Sequence, residues 1–380
     1  MKRFTSNRRI QVAIALSMVA ALALPLAFQA RPVPEGLPAR LSDTEFWRLA
    51  SEFSEPDGTF HSENLVSNEQ QYQAVIPQLL QTAAPGRAYV GVGSEQNFTY
   101  IGALRPTIAF IVDIRRGNLD LHLAYKALFE LSADRAEFVS RLFSRPRPAG
   151  LTNSSSAQEI FAAYATVAAS QTLYEKNLAD IRTQLVTKHG FKLSSGDLDG
   201  LQFVYSSWFR YGPNIQYELT TGNGRGGGNF GQARGGGNFP SYATLMTATD
   251  GAGKNRSYLA SEDTFRFLKD LETRNMVVPV VGNFGGPKAL RAVAGYLRQK
   301  ETVVSAFYTS NVEQYLREDG IWDNFCASAA MFPVDATSIL IRSERGGFRG
   351  QPGQRATPVA GGFASSLASM KTDFARCATK

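Results

Sequence analysis

Residues 88–114 form the segment that most restricts the fold, with the sequence AYVGVGSEQNFTYIGALRPTIAFIVDI. Two apolar runs rich in β-branched residues flank a glycine turn and a segment that predicts a helix through Ala103. Such runs are typical of strands that are covered on both faces. Since a strand, a helix and a second strand in this order favour parallel pairing, the segment predicts part of an open α/β sheet.

The same alternation continues later in the chain. Strands are predicted over 241–250, 276–286, 302–311 and 338–343, and helices over 261–275 and 287–300. The last of these strands, SILIRS, is predicted to end the sheet and is the candidate for an antiparallel strand. The predicted fold class is therefore α/β, with an open, mostly parallel sheet and a largely helical insertion over 117–240 that covers one side of it.

Two serine-led motifs have the pattern of a capping box, in which a serine and an acid or amide three residues later cap each other's backbone. SDTE (42–45) predicts a helix through Phe53, and SNEQ (67–70) predicts a helix over QQYQAVIPQLLQTA. Because proline disrupts a helix interior, Pro77 predicts a bend or a new turn.

The first 40 residues differ from the rest in charge. They carry six basic residues and one acid, 6 − 1 = +5, which leaves +2 of the total of +7 for the other 340 residues. Nucleic-acid binding needs concentrated basic residues, so this balance argues against a nucleic-acid partner.

An apolar run over 12–28 follows the basic head and predicts, within residues 1–30, a signal peptide or an uncleaved membrane anchor. We therefore expect the domain to be exported, either periplasmic or anchored to the outer face of the cytoplasmic membrane. Contact with the membrane is expected only through this segment, and residues 31–60 are predicted as a linker and short helix.

Cys326 and Cys377 are 51 residues apart and could pair in an oxidising compartment, but the spacing leaves a disulfide and two free thiols equally open. His61, His122 and His189 each lie apart from other ligand types at metal-binding spacing, so no metal site is predicted. A glycine-rich loop is predicted over 222–239 and a flexible tail over 344–380, which leaves 61–343 as the main domain.

The turn after the first predicted strand contains Gly91 and Gly93, at the place where open α/β sheets bind ligands. Asp113 follows 22 residues after Gly91, where an acid would meet a ribose diol. Gln96 occupies the position at which a dinucleotide motif would have its third glycine, and Glu95 would repel a diphosphate. S-Adenosylmethionine, which carries positive charge, therefore suits this turn better than NAD. A purely structural turn explains the two glycines about equally well, and an ordinary first-turn acid favoured by the helix dipole explains Glu95 about as well.

Five long segments resemble an uncharacterised family of bacterial proteins whose fold is similar to that of S-adenosylmethionine-dependent methyltransferases. They are NLVSNEQQYQAVIPQL, GVGSEQNFTYI, AFIVDIRRGNLDLHLAYKALFELSADRAEFVSRLFSRPRP, VPVVGNFGGPKALRAVAGYL and AFYTSNVEQYL, and they fall within about 61–343. The resemblance implies a Rossmann-like fold in which Gly91, Gly93, Glu95 and Asp113 bind the cofactor. It also implies that Asn283 follows the strand that usually presents a substrate-side residue.

Tyr308, Ser310 and Asn311 are predicted to join Asn283 at the substrate side, because they end the strand predicted over 302–311. Tyr308 is equally explained as a core aromatic, and Asn311 as the cap of the next helix. Arg115 and Arg116 could bind a phosphate beside Asp113, but they are interpreted as part of a solvated strand end.

Three classes of function agree with these patterns. The first is an exported protein that binds a small polar or nucleotide-like ligand at the strand ends. The second is an active S-adenosylmethionine-dependent methyltransferase, and the third is a surface module that binds another protein. No catalytic residue is assigned, because methyl transfer by direct displacement needs chiefly positioning.

Overall fold

The computed structural model of the protein describes residues 36–217, 239–345 and 363–377. The predicted signal peptide or anchor lies outside the described residues, as does the glycine-rich loop except for its last residue. None of the described helices is both long and apolar enough to cross a membrane.

A six-stranded sheet forms the centre of the fold. Its strands are β1 (Ala88–Gly91), β2 (Ile108–Asp113), β3 (Val277–Val281), β4 (Val304–Ser310), β5 (Ile339–Arg345) and β6 (Phe363–Ser369). They lie in the order β3-β2-β1-β4-β5-β6, and all neighbours are parallel except β6, which is antiparallel to β5. Every residue of β1, β2 and β3 is buried, as their apolar sequences predict. The predicted α/β, mostly parallel, Rossmann-like sheet is confirmed.

Fourteen α-helices are found in the described part of the chain. They are α1 (Asp43–Glu52), α2 (Ile76–Thr82), α3 (Gln96–Leu104), α4 (Arg116–Leu131), α5 (Arg135–Phe143), α6 (Ala157–Ala165), α7 (Gln171–Arg182), α8 (Ser195–Tyr211), α9 (Tyr242–Thr247), α10 (Glu262–Thr273), α11 (Ala289–Gln299), α12 (Val312–Glu318), α13 (Trp322–Ala329) and α14 (Met370–Cys377). A π-helical segment, Thr183–Lys188, continues α7. Helix α4 contacts β2, β3 and α8, so the helical cover is attached to the sheet through it.

The first helix begins as the sequence predicts, because the Ser42 side chain accepts a hydrogen bond from the Glu45 backbone. The second predicted cap is wrong. Residues 67–70 precede a 3₁₀ turn, Tyr72–Val75, and Pro77 stands in the first turn of a separate helix, α2. Glu69, within this motif, instead accepts hydrogen bonds beside the cavity described below.

The strand predicted over 241–250 is also wrong, because this segment contains helix α9. Ser241 caps that helix by accepting from the Thr244 backbone, and Tyr242, Leu245 and Met246 are buried on one helical face. Leu245 and Met246 follow Tyr242 by three and four positions, a spacing that suits one face of a helix rather than a strand.

The C-terminal part of the sheet differs from the prediction in two ways. β5 is parallel to β4, and the antiparallel strand is β6. β6 and α14 lie within the predicted flexible tail, so that prediction is wrong for residues 363–377. Cys326 of α13 and Cys377 of α14 form a disulfide, which decides between the two states of the cysteines.

A buried cluster of charged groups fastens α1 to the helical cover. Lys126 Nζ donates to Glu130 Oε1 at 2.8 Å, and His189 lies 2.7 Å from both Glu130 Oε2 and Asp43 Oδ1. Glu272 lies beside Lys126, and its burial raises the pKa of that carboxyl to about 8. The carboxyl of Glu272 is therefore protonated at neutral pH.

Candidate functional site

A cavity of about 180 Å³ lies where four parallel strands end. Residues just past the carboxyl ends of β1, β2, β3 and β4 line it, and β1 and β4 are the neighbours at which the strand order reverses. In open α/β sheets this crevice is the usual ligand site. Of the eight residues predicted at the site, six line this cavity: Gly93, Asp113, Asn283, Tyr308, Ser310 and Asn311.

Glycine occupies positions 91 and 93 for two different structural reasons. A Cβ at Gly91 would lie 1.9 Å from Asn97 Oδ1, so the close approach there is made by the protein itself and not by a ligand. Gly93 has a φ of +80°, a Cβ added to it would meet no atom within 4 Å, and it faces the cavity. Glycine is favoured there by the left-handed backbone, and the space beside it is free for a ligand.

His122 supports this turn from behind. Its Nε2 lies 2.9 Å from the Gly93 carbonyl oxygen, which can only accept, so Nε2 carries the hydrogen. Burial lowers the pKa of His122 to about 4, so the ring is neutral at pH 7. Sequence analysis found no role for this histidine, because its partner is a backbone oxygen 29 residues away.

Glu95 lies beneath the cavity wall and not in it. The side chain is fully buried, and Oε1 accepts from the Ser67 backbone at 3.2 Å. Burial raises the pKa of Glu95 to about 7. The structure thus places this carboxyl, and Gly91, away from the ligand position that the first cofactor loop implied.

Asp113 is paired with Arg115, two residues later. Arg115 Nε donates to Asp113 Oδ1 and Nη2 donates to Oδ2, both at 3.0 Å, while Nη1 donates to the Ser62 and Glu63 carbonyls. The prediction of a solvated Arg115 is wrong, since the loop at 62–63 covers it. All three guanidinium nitrogens are therefore engaged by the protein.

Asn283 lies in the loop after β3, which Glu55 holds in place. Glu55 Oε2 accepts from the Asn283 backbone at 3.1 Å, and Oε1 accepts from the Lys288 and Ala289 backbones at 2.8 and 2.9 Å. The Asn283 Oδ1 accepts from Gly285 at 2.9 Å, whereas its side-chain nitrogen makes no hydrogen bond within the described part of the chain. That amide nitrogen is a donor available to a ligand.

Glu69 is the centre of the polar network at the end of β4. Its Oε1 accepts from the Tyr308 hydroxyl at 2.6 Å and from the Ser310 hydroxyl at 2.7 Å. Ser310 has a φ of +50°, an uncommon backbone conformation for a non-glycine residue. Such local strain is frequent at functional sites, where the surroundings hold it.

The other oxygen of Glu69 is bound from two further elements. Oε2 accepts from Gln96 Nε2 at 2.9 Å and from the Ser365 hydroxyl of β6 at 3.2 Å. Glu69, Gln96 and Ser365 are each almost fully buried. Glu69 thus joins helix α3, the end of β4 and strand β6 in one hydrogen-bond network.

Asn311 occupies the N-cap position of α12, as predicted, but its side chain makes no capping bond. It lines the first cavity and also a neighbouring one of about 230 Å³, which it shares with Ser310. The second cavity extends along β5 at Arg342 and Ser343. Arg342 is held there between Glu313 and Asp373.

A family model described as a domain of unknown function (DUF7790) matches residues 64–190 and 157–371. The chain belongs to the DUF7790 family. The expectation of an uncharacterised family is thus confirmed. No curated protein matches the chain.

The DUF7790 match includes the cavity-lining residues from Asn64 to Asp319 and also Ser365, whereas Thr59 and Phe60 of the lining precede it. Glu69 and its donors were missed by sequence analysis because the contacts join residues 27 to 296 positions apart. The one local signal was an acid in a serine-led motif, which a helix cap explains equally well. Among the described residues, no group of three or more His, Cys, Asp or Glu side chains is placed to hold a metal ion.

Proposed function

We propose that this DUF7790 domain binds a small, nucleoside-like ligand without phosphate groups in the cavity at the ends of β1 to β4. The observation that carries the proposal is the convergence of four strand ends on one cavity with aromatic walls and amide side chains. Phe60, Phe284 and Tyr315 are aromatic residues of the lining, as suits a planar ligand group, and Asn283 offers a donor.

Charge argues against a phosphate. Among the described lining residues the charged ones are Asp113, Arg115 and Asp319, one cation against two carboxylates. Arg115 donates to protein oxygens from each of its nitrogens, so it does not offer the bidentate grip that phosphates receive from arginine. A neutral or cationic ligand fits this balance.

Volume argues for a compact ligand. A cavity of about 180 Å³ is smaller than the roughly 300–1,000 Å³ of pockets for drug-sized ligands. It suits a nucleoside fragment better than a whole dinucleotide.

An S-adenosylmethionine-dependent methyltransferase remains the second candidate. It is favoured by Asp113 at the end of β2 and by the Rossmann-like sheet order. Gly93 and Asp113 would hold the adenosyl part, Asn283 would face the substrate, and the cofactor would supply an electrophilic methyl group. Gly91 and Glu95, which the first cofactor loop would also use, face protein instead.

We propose further that the domain acts outside the cytoplasm. The basic head and apolar run support this, and so does the disulfide, because such bonds persist chiefly in oxidising compartments. A reporter that is active only in the periplasm, fused after residue 40, should be active. Activity confined to a cytoplasmic reporter would contradict export.

A thermal-shift panel tests ligand binding. Adenosine, S-adenosylmethionine, S-adenosylhomocysteine and NAD are compared at millimolar concentration, since a ligand at 100 times its Kd adds about 2.7 kcal/mol of stability. We expect shifts with the adenosyl compounds and none with NAD. No shift with any of the four, or a shift with NAD alone, would contradict the proposal.

A pair of glycine variants provides the matched control. Gly93 and Gly86 both have positive φ, +80° and +71°, and an added Cβ meets no atom within 4 Å at either. Gly93→Val and Gly86→Val therefore bear similar backbone strain, but only Gly93 lines the cavity. We expect Gly93→Val to abolish the shift and Gly86→Val to retain it; equal responses would show that the ligand binds elsewhere.

A further inference from the structure

The number of hydrogen bonds to Glu69 determines which way they run. Four donors surround the carboxylate, two at each oxygen: Tyr308, Ser310, Gln96 and Ser365. Gln96 meets Glu69 with its amide nitrogen, because its amide oxygen is the acceptor for the Ser67 hydroxyl. An ionised carboxylate has four acceptor positions and no hydrogen, so it can serve all four donors at once.

The hydroxyls of Tyr308 and Ser310 consequently both act as donors to Glu69. Each has a single hydrogen, and each gives it to Glu69 Oε1 at 2.6 and 2.7 Å. An alternative acceptor for Ser310, Asn311 Oδ1, lies farther away at 3.4 Å. Both residues also line the cavity, and toward it their oxygens can present only lone pairs.

The unpaired charge at the described wall has the same electrostatic preference. Asp319 at the cavity adds a carboxylate, whereas the charge of Asp113 is paired with Arg115. Glu69 itself has no cationic partner among its four donors. The end of β4 is therefore a region that accepts hydrogen bonds and favours positive charge.

We infer that the ligand group that meets Tyr308 and Ser310 is a hydrogen-bond donor, an amino or ammonium group, because Glu69 holds both hydroxyl hydrogens away from the cavity. This inference rests on the proposed ligand cavity and narrows its ligand class to amines. Glu69 acts here as a positioning residue: it does not line the cavity but fixes the polarity of the two hydroxyls that do.

Charge-selective labelling of a single cysteine tests the inference without knowledge of the natural ligand. The chain has two cysteines, and both are in the disulfide, so a cysteine introduced by Asn311→Cys is the one free thiol. Its labelling rates are measured with aminoethyl methanethiosulfonate, an ammonium donor, and with sulfonatoethyl methanethiosulfonate, an anion. The ratio is divided by the same ratio for Thr172→Cys, at an exposed position on α7.

We expect a normalised preference of about tenfold for the aminoethyl reagent, a difference of about 1.4 kcal/mol. A ratio at or below one would overturn the inference. This reading does not require Glu69 to be changed, so it stands even where a Glu69 variant folds poorly.

Two variants that each remove one negative charge then distinguish the effect of the hydroxyl directions from the effect of charge alone. Glu69→Gln removes a carboxylate and lets Tyr308 and Ser310 turn their hydrogens toward the cavity, so the preference should fall at least threefold. Asp319→Asn removes the same charge from the cavity but leaves Glu69 intact, and should lower it less. Equal effects of the two variants would overturn the assigned role of Glu69.

The labelling and the thermal-shift panel fail in distinguishable ways. A labelling preference without any ligand-induced shift would leave the polarity of the wall in place and reject the nucleoside-like ligand. A shift without a labelling preference would leave the ligand cavity in place and reject the amine.

Discussion

Replacing Glu69 by glutamine is the change that most directly tests the network at the site. The carboxylate accepts four hydrogen bonds in a buried position, with 1% of its surface exposed. A glutamine side chain offers one acceptor oxygen with two lone pairs, and its amide group is a donor. Two of the four donors therefore lose their acceptor.

Rotation of the hydroxyl groups to other acceptors replaces only some of the lost hydrogen bonds. Ser310 can turn to Asn311 Oδ1, 3.4 Å away, but Tyr308 has no second acceptor among its described contacts. A buried donor without a partner costs about 1–3 kcal/mol, and the bonds that remain lose the strength they had with a charged acceptor. Relief of the burial of one charge acts in the opposite direction. We expect Glu69→Gln to lower the free energy of unfolding by roughly 2–4 kcal/mol.

Urea unfolding at pH 7, followed by circular dichroism with the disulfide intact, measures this difference. The control is Glu318→Gln, because Glu318 is exposed and accepts one hydrogen bond from Gln314. That exposed substitution should change stability by at most about 0.5 kcal/mol. If Glu69→Gln also stays within that range, the four donors do not depend on the carboxylate and the reasoning is refuted.

Three further changes have expected outcomes. Replacing Cys326 and Cys377 by serine should lower stability by about 4 kcal/mol, the loop-entropy value for a separation of 51 residues, and reductant should produce the same loss in the unchanged protein; urea unfolding measures both. Gly91→Ala should destabilise by about 1–3 kcal/mol, since its Cβ would lie 1.9 Å from a side-chain oxygen, whereas Gly295→Ala, in an open helical position, should stabilise by up to about 1 kcal/mol. Burial raises the pKa of the Glu272 carboxyl to about 8. Its contribution to stability is therefore full below pH 4.5 and is lost as the pH rises through 8. Glu272→Gln should remove about 4 kcal/mol of this pH dependence when the free energy of unfolding is measured from pH 4.5 to 9.

The strands of the parallel sheet could be predicted because apolar runs in the local sequence indicate that they are buried. VVPVV is apolar throughout and IAFIVD is apolar up to its last residue, Asp113, and both are strands with every residue buried. β6 has the sequence FASSLAS, which lacks such a run. Its strand conformation comes from pairing with β5, a tertiary contact that no local pattern reports.

The positions at the cavity could be predicted by a topological rule, since parallel strands end at one edge of the sheet. That rule placed Asp113, Asn283 and Ser310 together, although they are far apart in sequence. The topological rule does not predict which charged or polar side chains pair with each other. The pairing of Asp113 with Arg115 and the gathering of donors at Glu69 depend on side-chain directions in the folded chain.

The disulfide and the candidate site are connected through the C-terminal strands. The covalent loop from Cys326 to Cys377 contains both β5 and β6, and Ser365 of β6 supplies one of the four donors to Glu69. A bond that restricts the unfolded loop favours the state in which β6 is paired and Ser365 is in place. Because Glu69 with all four donors directs the hydroxyls of Tyr308 and Ser310, oxidation of the two cysteines should strengthen the preference of the cavity for a hydrogen-bond donor. The aminoethyl labelling preference should therefore fall in the variant that lacks the disulfide, even under conditions in which that variant remains folded.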